Sequence, residues 1–275
     1  MMGVRRAKED LVRNYTYPEF RWLEQGEGEP VLLLHGLMGR MDDWDDALDL
    51  LALSCRPMAP LLPIFHPGLP ETSLAALADH VVGLLDALDI PHAVIGGNSL
   101  GGHVALTLAL ARPERVSGLI LTGSSGLFER GFTRGVPHRP NAEYVREKME
   151  EIFYDSTLVT PDWVETVRRT VTDPATALRV VRFARAAKRE NLEGRLHEIQ
   201  APTLIVWGRD DRITPPEVAE RFHALIPDSR LAFLPRCGHA PMIEQPAAFS
   251  LSVQAWLEAT RPRRARALAG AGGLR

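Results

Sequence analysis

The alternation of two kinds of segment constrains the fold most. Short apolar, β-rich segments recur along the chain, and segments with the 3.6-residue period of amphipathic helices separate them. The predicted strands are PVLLLHG (30–36), CRPMAPLL (55–62), HAVIGG (92–97), SGLILTG (117–123), PTLIVWG (202–208) and SRLAFLP (229–235). The predicted helices between and after them are 73–89, 100–113, 216–226 and 247–260. Because the strands are continuously apolar, both sheet faces must be covered. We therefore predict an α/β fold with a mostly parallel central sheet and helices on both faces.

The alternation breaks between residues 124 and 201, where no clear strand is present. The helix candidates there are 141–155, 161–171 and 174–191. This predicts a small helical cap inserted between two strands. We expect a core formed by 18–126 and 201–260, a cap over 127–200, and flexible tails at 1–17 and 261–275, since the last segment is basic and then low in complexity. The segment YPEFRWLEQGEGEP (17–30) predicts an edge hairpin.

Composition excludes several classes of protein. The 275 residues suffice for one large domain, and a net charge of −3 gives no sign of nucleic-acid binding. The charged N-terminal segment does not resemble a secretion signal, and we expect neither a membrane-spanning stretch nor a disulfide framework, since Cys55 and Cys237 lie far apart. We expect a cytoplasmic protein without membrane contact. The oligomeric state, including a homodimer, is left open.

One serine lies among glycines where a predicted strand meets a predicted helix. The stretch Gly97-Asn98-Ser99-Leu100-Gly101 fits the pattern G-x-S-x-G in the context that this pattern requires. So tight a bend costs about 1–3 kcal/mol of backbone strain. Side chains at 97 and 101 would collide with neighbouring strands, which explains the glycines. The bend exposes the hydroxyl beside a helix N-terminus, where negative charge is favoured.

A serine hydroxyl needs a base, and the base needs an orienting partner. Asp210 and Asp211 follow the strand 202–208, and His239 lies in the loop after the last strand. All of these loops open at one edge of a parallel sheet. We predict that His239 takes the Ser99 proton and that Asp211 orients and stabilises the imidazole, with Asp210 as its close rival.

A tetrahedral intermediate also needs hydrogen-bond donors for its oxyanion. The main-chain N–H of Leu100 follows the nucleophile, and that of Leu37 lies in the glycine-rich loop after the strand 30–36. We predict that these two groups form the oxyanion hole. No H-E-x-x-H pattern or cysteine cluster is present, so we expect neither a metal nor a cofactor.

Four motifs taken together resemble the α/β-hydrolase superfamily. They are LLLHGLMG, GGNSLGG, WGRDDRITP and GHAPMIEQP, between about residue 30 and residue 246. The chain looks like the subgroup of capped serine esterases and carbon–carbon bond hydrolases. The aspartate of the family falls at the fifth position of W-G-x-x-D, which favours Asp211. The resemblance also implies a cap where the alternation breaks.

Two positions depart from the pattern of that family. Leu61 stands where many relatives have an aspartate, so the pocket floor is expected to differ. Ala240 follows the histidine where relatives that cleave carbon–carbon bonds often have tryptophan. Because the nucleophile is serine rather than aspartate, haloalkane dehalogenase and epoxide hydrolase activities are disfavoured.

Several further residues are candidates for substrate binding. His66, His138 and Arg139 lie in loops that can border the pocket, although a plain surface role is the commoner reason for such residues. Tyr144 and Met149 share one face of a predicted cap helix, where packing within the cap is the alternative.

Three other groups of polar residues are expected to take no part in catalysis or substrate binding. His35 is expected to be structural, and the helix carries His103 away from the serine. Arg182, Arg185 and Arg189 can hold a substrate carboxylate, but such spacing is more typical of a solvated helix face.

The main functional hypothesis is a cofactor-independent serine hydrolase that cleaves carboxylic esters of small to medium size through an acyl-enzyme. The alternative is hydrolysis of a carbon–carbon bond next to the ketone of a ring-cleavage dienoate. A ligand receptor without turnover is a third hypothesis, which predicts a decayed triad. The expected partner is thus a small ester or related carbonyl compound.

Overall fold

The computed structural model describes residues 19–69, 71–128 and 140–271, with the side chains of 265–271 left out. Seven strands form one sheet in the order β1-β3-β2-β4-β5-β6-β7. They are β1 Trp22–Glu24, β2 Pro30–Leu34, β3 Arg56–Pro60, β4 Ala93–Asn98, β5 Val116–Thr122, β6 Thr203–Gly208 and β7 Ser229–Leu234. All pairs are parallel except β1 with β3. The α/β fold and the six strands expected from the apolar segments are confirmed.

The edge strand differs from the expected hairpin in its partner. β1 pairs with β3, with Trp22 opposite Pro60, rather than with β2, which follows it in the chain. That edge of β2 is already occupied by β3, where Leu32 lies opposite Met58. The segment 17–30 therefore contributes an antiparallel edge strand, and the expected hairpin is wrong.

Helices cover both faces of the sheet. Outside the segment between β5 and β6 they are α1 Asp45–Leu51, α2 Leu74–Ala87, α3 Leu100–Ala111, α7 Pro216–Leu225, α8 Pro241–Glu244 and α9 Pro246–Ala271. Two buried apolar clusters result. One places α2, α3 and α7 on the sheet, and the other joins α1 and α9 to its opposite face. Among the described residues, no helix combines the length and apolarity needed to cross a bilayer.

In the described part of the segment between β5 and β6, three helices follow one another, and we refer to them as the inserted helices. They are α4 Ala142–Glu150, α5 Pro161–Thr172 and α6 Pro174–Arg189. Each begins at a polar side chain that accepts a hydrogen bond from the first turn: Asn141, Thr160 and Asp173. Such caps satisfy main-chain N–H groups that the helix leaves open, so the local sequence fixes each start.

The C-terminal segment differs from the flexible tail expected over 261–275. The helix α9 continues to Ala271, and the Arg264 side chain is only 2% exposed. Its guanidinium donates to both carboxylate oxygens of Glu29, at 3.0 and 2.6 Å, and to the carbonyl of Leu257. A bidentate buried pair of this kind orders the helix, which a composition argument misses because Glu29 lies 235 residues away.

Candidate active site

The bend between β4 and α3, residues 97–101, forms what we call the nucleophile elbow. Ser99 has φ 55° and ψ −119°, a conformation that L-residues rarely adopt. Its N–H donates to the Thr122 carbonyl of β5 at 3.1 Å. A Cβ at Gly101 would overlap the Leu34 carbonyl of β2, whereas one at Gly97 would overlap the backbone of Gly101 itself. Only the Gly101 collision is with a neighbouring strand, and Gly97 is required by the close approach of α3.

Asp211 and His239 form a buried polar contact at this edge of the sheet. The Nδ1 of His239 lies 2.9 Å from the Oδ2 of Asp211, and the side chains are 7% and 0% exposed. Asp211 also accepts from the main-chain N–H groups of Ile213 (2.8 Å) and Thr214 (2.9 Å) and from the Thr214 hydroxyl (2.9 Å). Asp210 is exposed. The structure thus brings Asp211, rather than its neighbour, to the imidazole.

His239 also contacts the elbow and the end of β5. Asn98 donates from Nδ2 to the His239 carbonyl at 2.8 Å and to the Thr122 carbonyl at 3.1 Å. Gly123 has φ +53°, and a Cβ there would lie 2.8 Å from the imidazole Nδ1. The imidazole therefore lies over the carboxyl end of β5, beside the strand end to which the N–H of Ser99 donates.

The loop after β2 passes next to the nucleophile. A Cβ on Gly36 would lie 3.4 Å from the Ser99 Cβ. His35 holds this loop, because its Nε2 accepts from the Leu62 N–H at 3.0 Å while its Nδ1 lies 2.8 Å from the Gly36 carbonyl. Complete burial lowers the pKa of His35 to about 4, so the ring is neutral near pH 7. His35 has the structural role that its position predicts.

One expected oxyanion donor follows Ser99 in the chain, and the other follows Gly36, which approaches Ser99. Leu100 is the first residue of α3, where main-chain N–H groups have no acceptor within the helix. Leu37 follows Gly36 and is half-buried. Their N–H groups remain the predicted oxyanion hole.

The residues expected to bind substrate have different surroundings in the structure. His66 lies in the loop after β3, where its Nδ1 accepts from the Gly68 N–H at 3.0 Å. Met149 is 5% exposed and belongs to the apolar cluster on one sheet face. Tyr144 is half-buried, and its hydroxyl has no hydrogen-bond partner among the residues that the structure describes. His138 and Arg139 lie outside the described residues.

The other polar candidates have structural or exposed positions, and the main-chain N–H of His103 donates to the Ser99 carbonyl at 3.2 Å. His103 is buried under Gly126, its Nδ1 lies 3.3 Å from the Ser125 hydroxyl, and burial lowers its pKa to about 4. The three arginines of α6 that the sequence singles out are exposed: Arg182, Arg185 and Arg189. Over the described ranges, no group of three or more histidine, cysteine or acidic side chains is placed to hold a metal ion.

Three residues that shape the site are absent from the expectations: Asn98, Thr214 and Glu244. Asn98 and Thr214 each lie within a motif already singled out, next to or three residues from a catalytic candidate. The polarity of Asn98 at the end of an apolar strand, and the position of Thr214 three residues after Asp211, are the signals that could have identified them. Glu244 is described below.

The chain is similar to known proteins over most of its length. A sequence profile of the alpha/beta hydrolase family matches residues 31–250, and the chain belongs to that family. It is 30% identical, over 82% of its length and 87% of the relative, to the 2-hydroxy-6-oxo-6-phenylhexa-2,4-dienoate hydrolase of Burkholderia cepacia.

Two solved structures show similarity of the same extent. A meta-cleavage product hydrolase from Pseudomonas fluorescens is 27% identical, with a TM-score of 0.76 over 88% of this chain and 94% of that one. A thermophilic esterase from Thermogutta terrifontis is 28% identical, with a TM-score of 0.70 over 87% and 93%. The class of enzyme is therefore a hydrolase, and the similar proteins include hydrolases named for dienoates as well as an esterase.

Proposed function

We propose that the chain is a serine hydrolase that attacks a carbonyl carbon of a small substrate. Ser99 is the nucleophile, His239 takes its proton, and Asp211 holds the imidazole so that Nε2 is free for that proton. The 2.9 Å contact between the buried Asp211 and His239 beside the serine carries this proposal. The N–H groups of Leu37 and Leu100 stabilise the oxyanion, and the loss of one such donor typically costs about 10²–10³-fold in rate.

We further propose that the bond cleaved is a carbon–carbon bond next to the ketone of a 2-hydroxy-6-oxo-dienoate. Similarity over most of the chain to hydrolases named for such compounds supports this choice over the ester hypothesis. Once the 2-hydroxyl group has ketonised, the electron pair of the breaking bond passes through the remaining double bond to the oxygen on carbon 2. One water is consumed: the acyl carbon gains hydroxyl, and the released carbon gains a proton.

Carboxylic ester hydrolysis is the second candidate. The residue after His239 is Ala240, which is buried, where the sequence resemblance for carbon–carbon hydrolases favours tryptophan. The similar fold of a thermophilic esterase supports the same candidate. An ester needs no assistance to its leaving group beyond a proton from the imidazole, so the same three residues suffice.

Parallel assays separate the two candidates. The wild-type chain and Ser99→Ala are given 2-hydroxy-6-oxo-6-phenylhexa-2,4-dienoate, with benzoate release as the readout, and p-nitrophenyl butyrate. We expect benzoate from the dienoate with wild type only, at a kcat/KM above that for the ester. Ester turnover without benzoate would select the second candidate, and turnover of either substrate by Ser99→Ala would remove Ser99 as the nucleophile.

A further inference from the structure

The turn after α4, residues 151–155, lies directly on the loop that carries the histidine, residues 235–240. The N–H of His239 donates to the Ile152 carbonyl at 2.7 Å. A Cβ on Gly238 would lie 2.5 Å from the same carbonyl oxygen and 2.9 Å from the Tyr154 nitrogen. The two backbones therefore approach so closely that only glycine fits at 238.

Glu244, the last residue of α8, joins these two segments. Its Oε1 accepts from the Gly238 N–H at 2.8 Å, and its Oε2 accepts from the Tyr154 N–H at 2.7 Å. One carboxylate thus satisfies a main-chain donor on each side of the contact. The carboxylate is half-buried, and burial raises its pKa, while the hydrogen bonds that it accepts oppose that rise.

The opposite side of the histidine is fixed to the nucleophile elbow. The His239 carbonyl accepts from Asn98, whereas its N–H donates to Ile152. Both main-chain groups of His239 are therefore used, one by the sheet core and one by the segment that leads out of α4. The position of the imidazole depends on both attachments.

We propose that Glu244 is a positioning residue, which holds the turn after α4 against Gly238 so that the placement of His239 depends on the placement of the inserted helices. The inference rests on the proposed function, because it assigns a role to a contact of the proposed base. A displacement of about 1 Å at a reacting group is enough to cost about 10²-fold in rate. A shift of the inserted helices is thus transmitted to the base through the hydrogen bond between His239 and Ile152 and through the Glu244 carboxylate.

The direct test is Glu244→Gln, which keeps the size of the side chain. The amide oxygen can accept from one N–H, but the amide NH₂ is a donor and cannot accept from the other. Glu165→Gln is the matched control, since Glu165 lies on α5 and pairs with Arg168 at the surface. Three quantities are measured: kcat and KM, the rate constant for labelling by a fluorophosphonate, and the number of labels per chain.

We expect Glu244→Gln to lower kcat and the labelling rate constant by about 10- to 100-fold, with KM within about threefold. The number of labels per chain should stay at one, because the protein remains folded and only the base is misplaced. Glu165→Gln should match wild type. A folded Glu244→Gln chain with wild-type kcat and labelling rate would overturn the inference, as would a loss confined to the fraction of chains labelled.

A second variant keeps the inference testable if Glu244→Gln does not fold. Gly238→Ala keeps the glutamate at 244 but forces the two backbones apart, because the added Cβ would lie 2.5 Å from the Ile152 carbonyl oxygen. We expect the same fall in labelling rate with one label per chain. An unchanged rate there would contradict the inference. If wild type itself is not labelled, the proposed function fails first, so the two failures are distinguishable.

Discussion

The nucleophile elbow and the histidine loop hold their catalytic candidates in different ways. At the elbow, Gly97 and Gly101 allow strand and helix to meet at a strained φ of 55°, and the Ser99 main chain is hydrogen-bonded to Thr122 and Ser125. At the loop, His239 is fixed by distant groups: Asn98 accounts for one main-chain bond and Ile152 for the other. The bend at the nucleophile is therefore encoded in local glycines and supported by the neighbouring strand end, whereas the position of the base depends on tertiary contacts.

This difference explains where changes in the chain should act. A change at the elbow alters the covalent step or the fold itself, because the nucleophile, β4 and α3 all meet at the bend. A change around the histidine loop alters the alignment of the His239 imidazole and leaves the fold in place. Substitutions at the elbow and around the loop can test that division.

Replacement of the nucleophile should have the largest effect. We expect Ser99→Ala to lose about 10⁶-fold in kcat, as triad members act as a unit. The thermal midpoint should change little, because the hydroxyl makes no hydrogen bond that the bend depends on. Ser117→Ala is the control: that serine is buried in β5, its hydroxyl lacks a partner, and turnover should be unchanged. Comparable losses in both variants would show a general defect instead.

The two adjacent aspartates should differ sharply. Asp211→Asn leaves an amide beside Nδ1 and favours the wrong imidazole tautomer, so we expect a loss of about 10⁴-fold in kcat. Asp210→Asn is the matched control, and the exposed side chain should cost less than about twofold. Steady-state kinetics on both variants checks this. A larger loss of kcat in Asp210→Asn than in Asp211→Asn would assign the orienting role to Asp210.

The bend should not tolerate a methyl group. In Gly101→Ala the Cβ would overlap the Leu34 carbonyl, so the backbone must move, and we expect a loss of about 4 kcal/mol or more in unfolding free energy. Gly194→Ala is the control, because no atom lies within 4 Å of its Cβ position. Urea titration measures both. If Gly101→Ala keeps wild-type stability, the elbow is not as tightly packed as described.

Stability should depend on pH through His35. Its folded pKa of about 4 lies below the unfolded value of about 6.5, so its contribution of about 3 kcal/mol is complete above pH 6.5 and is lost as pH falls to 4. His35→Asn should make the unfolding free energy fall less steeply across that window, while the buried His103 still contributes. His197→Asn, at an exposed site, should keep the wild-type slope. Equal slopes in all three chains would contradict the buried neutral state.

The sequence predicts the fold and the elbow because both depend on local pattern. The six apolar segments all become strands, and the glycines around Ser99 indicate the bend directly. Asp211 is favoured over Asp210 by its place in a motif, but burial and the bonds from Thr214 distinguish the two physically.

Features that depend on long-range contacts cannot be predicted from local sequence patterns. The edge strand pairs with β3 because the neighbouring edge of β2 is already filled. The C-terminal helix is ordered by Arg264 and Glu29, 235 residues apart, and Glu244 reaches Tyr154 across 90 residues. Periodicity within a window carries no information about such partners.

Activation of Ser99 by His239 at the elbow is best tested by covalent labelling of the serine. Wild type, Ser99→Ala and His239→Ala are treated with a fluorophosphonate, and the adduct is located by peptide mass spectrometry. The account predicts one adduct per wild-type chain on Ser99, none on that peptide in Ser99→Ala, and labelling slowed at least about 10²-fold in His239→Ala. An unlabelled wild type, an adduct on another residue, or wild-type labelling of His239→Ala would contradict it.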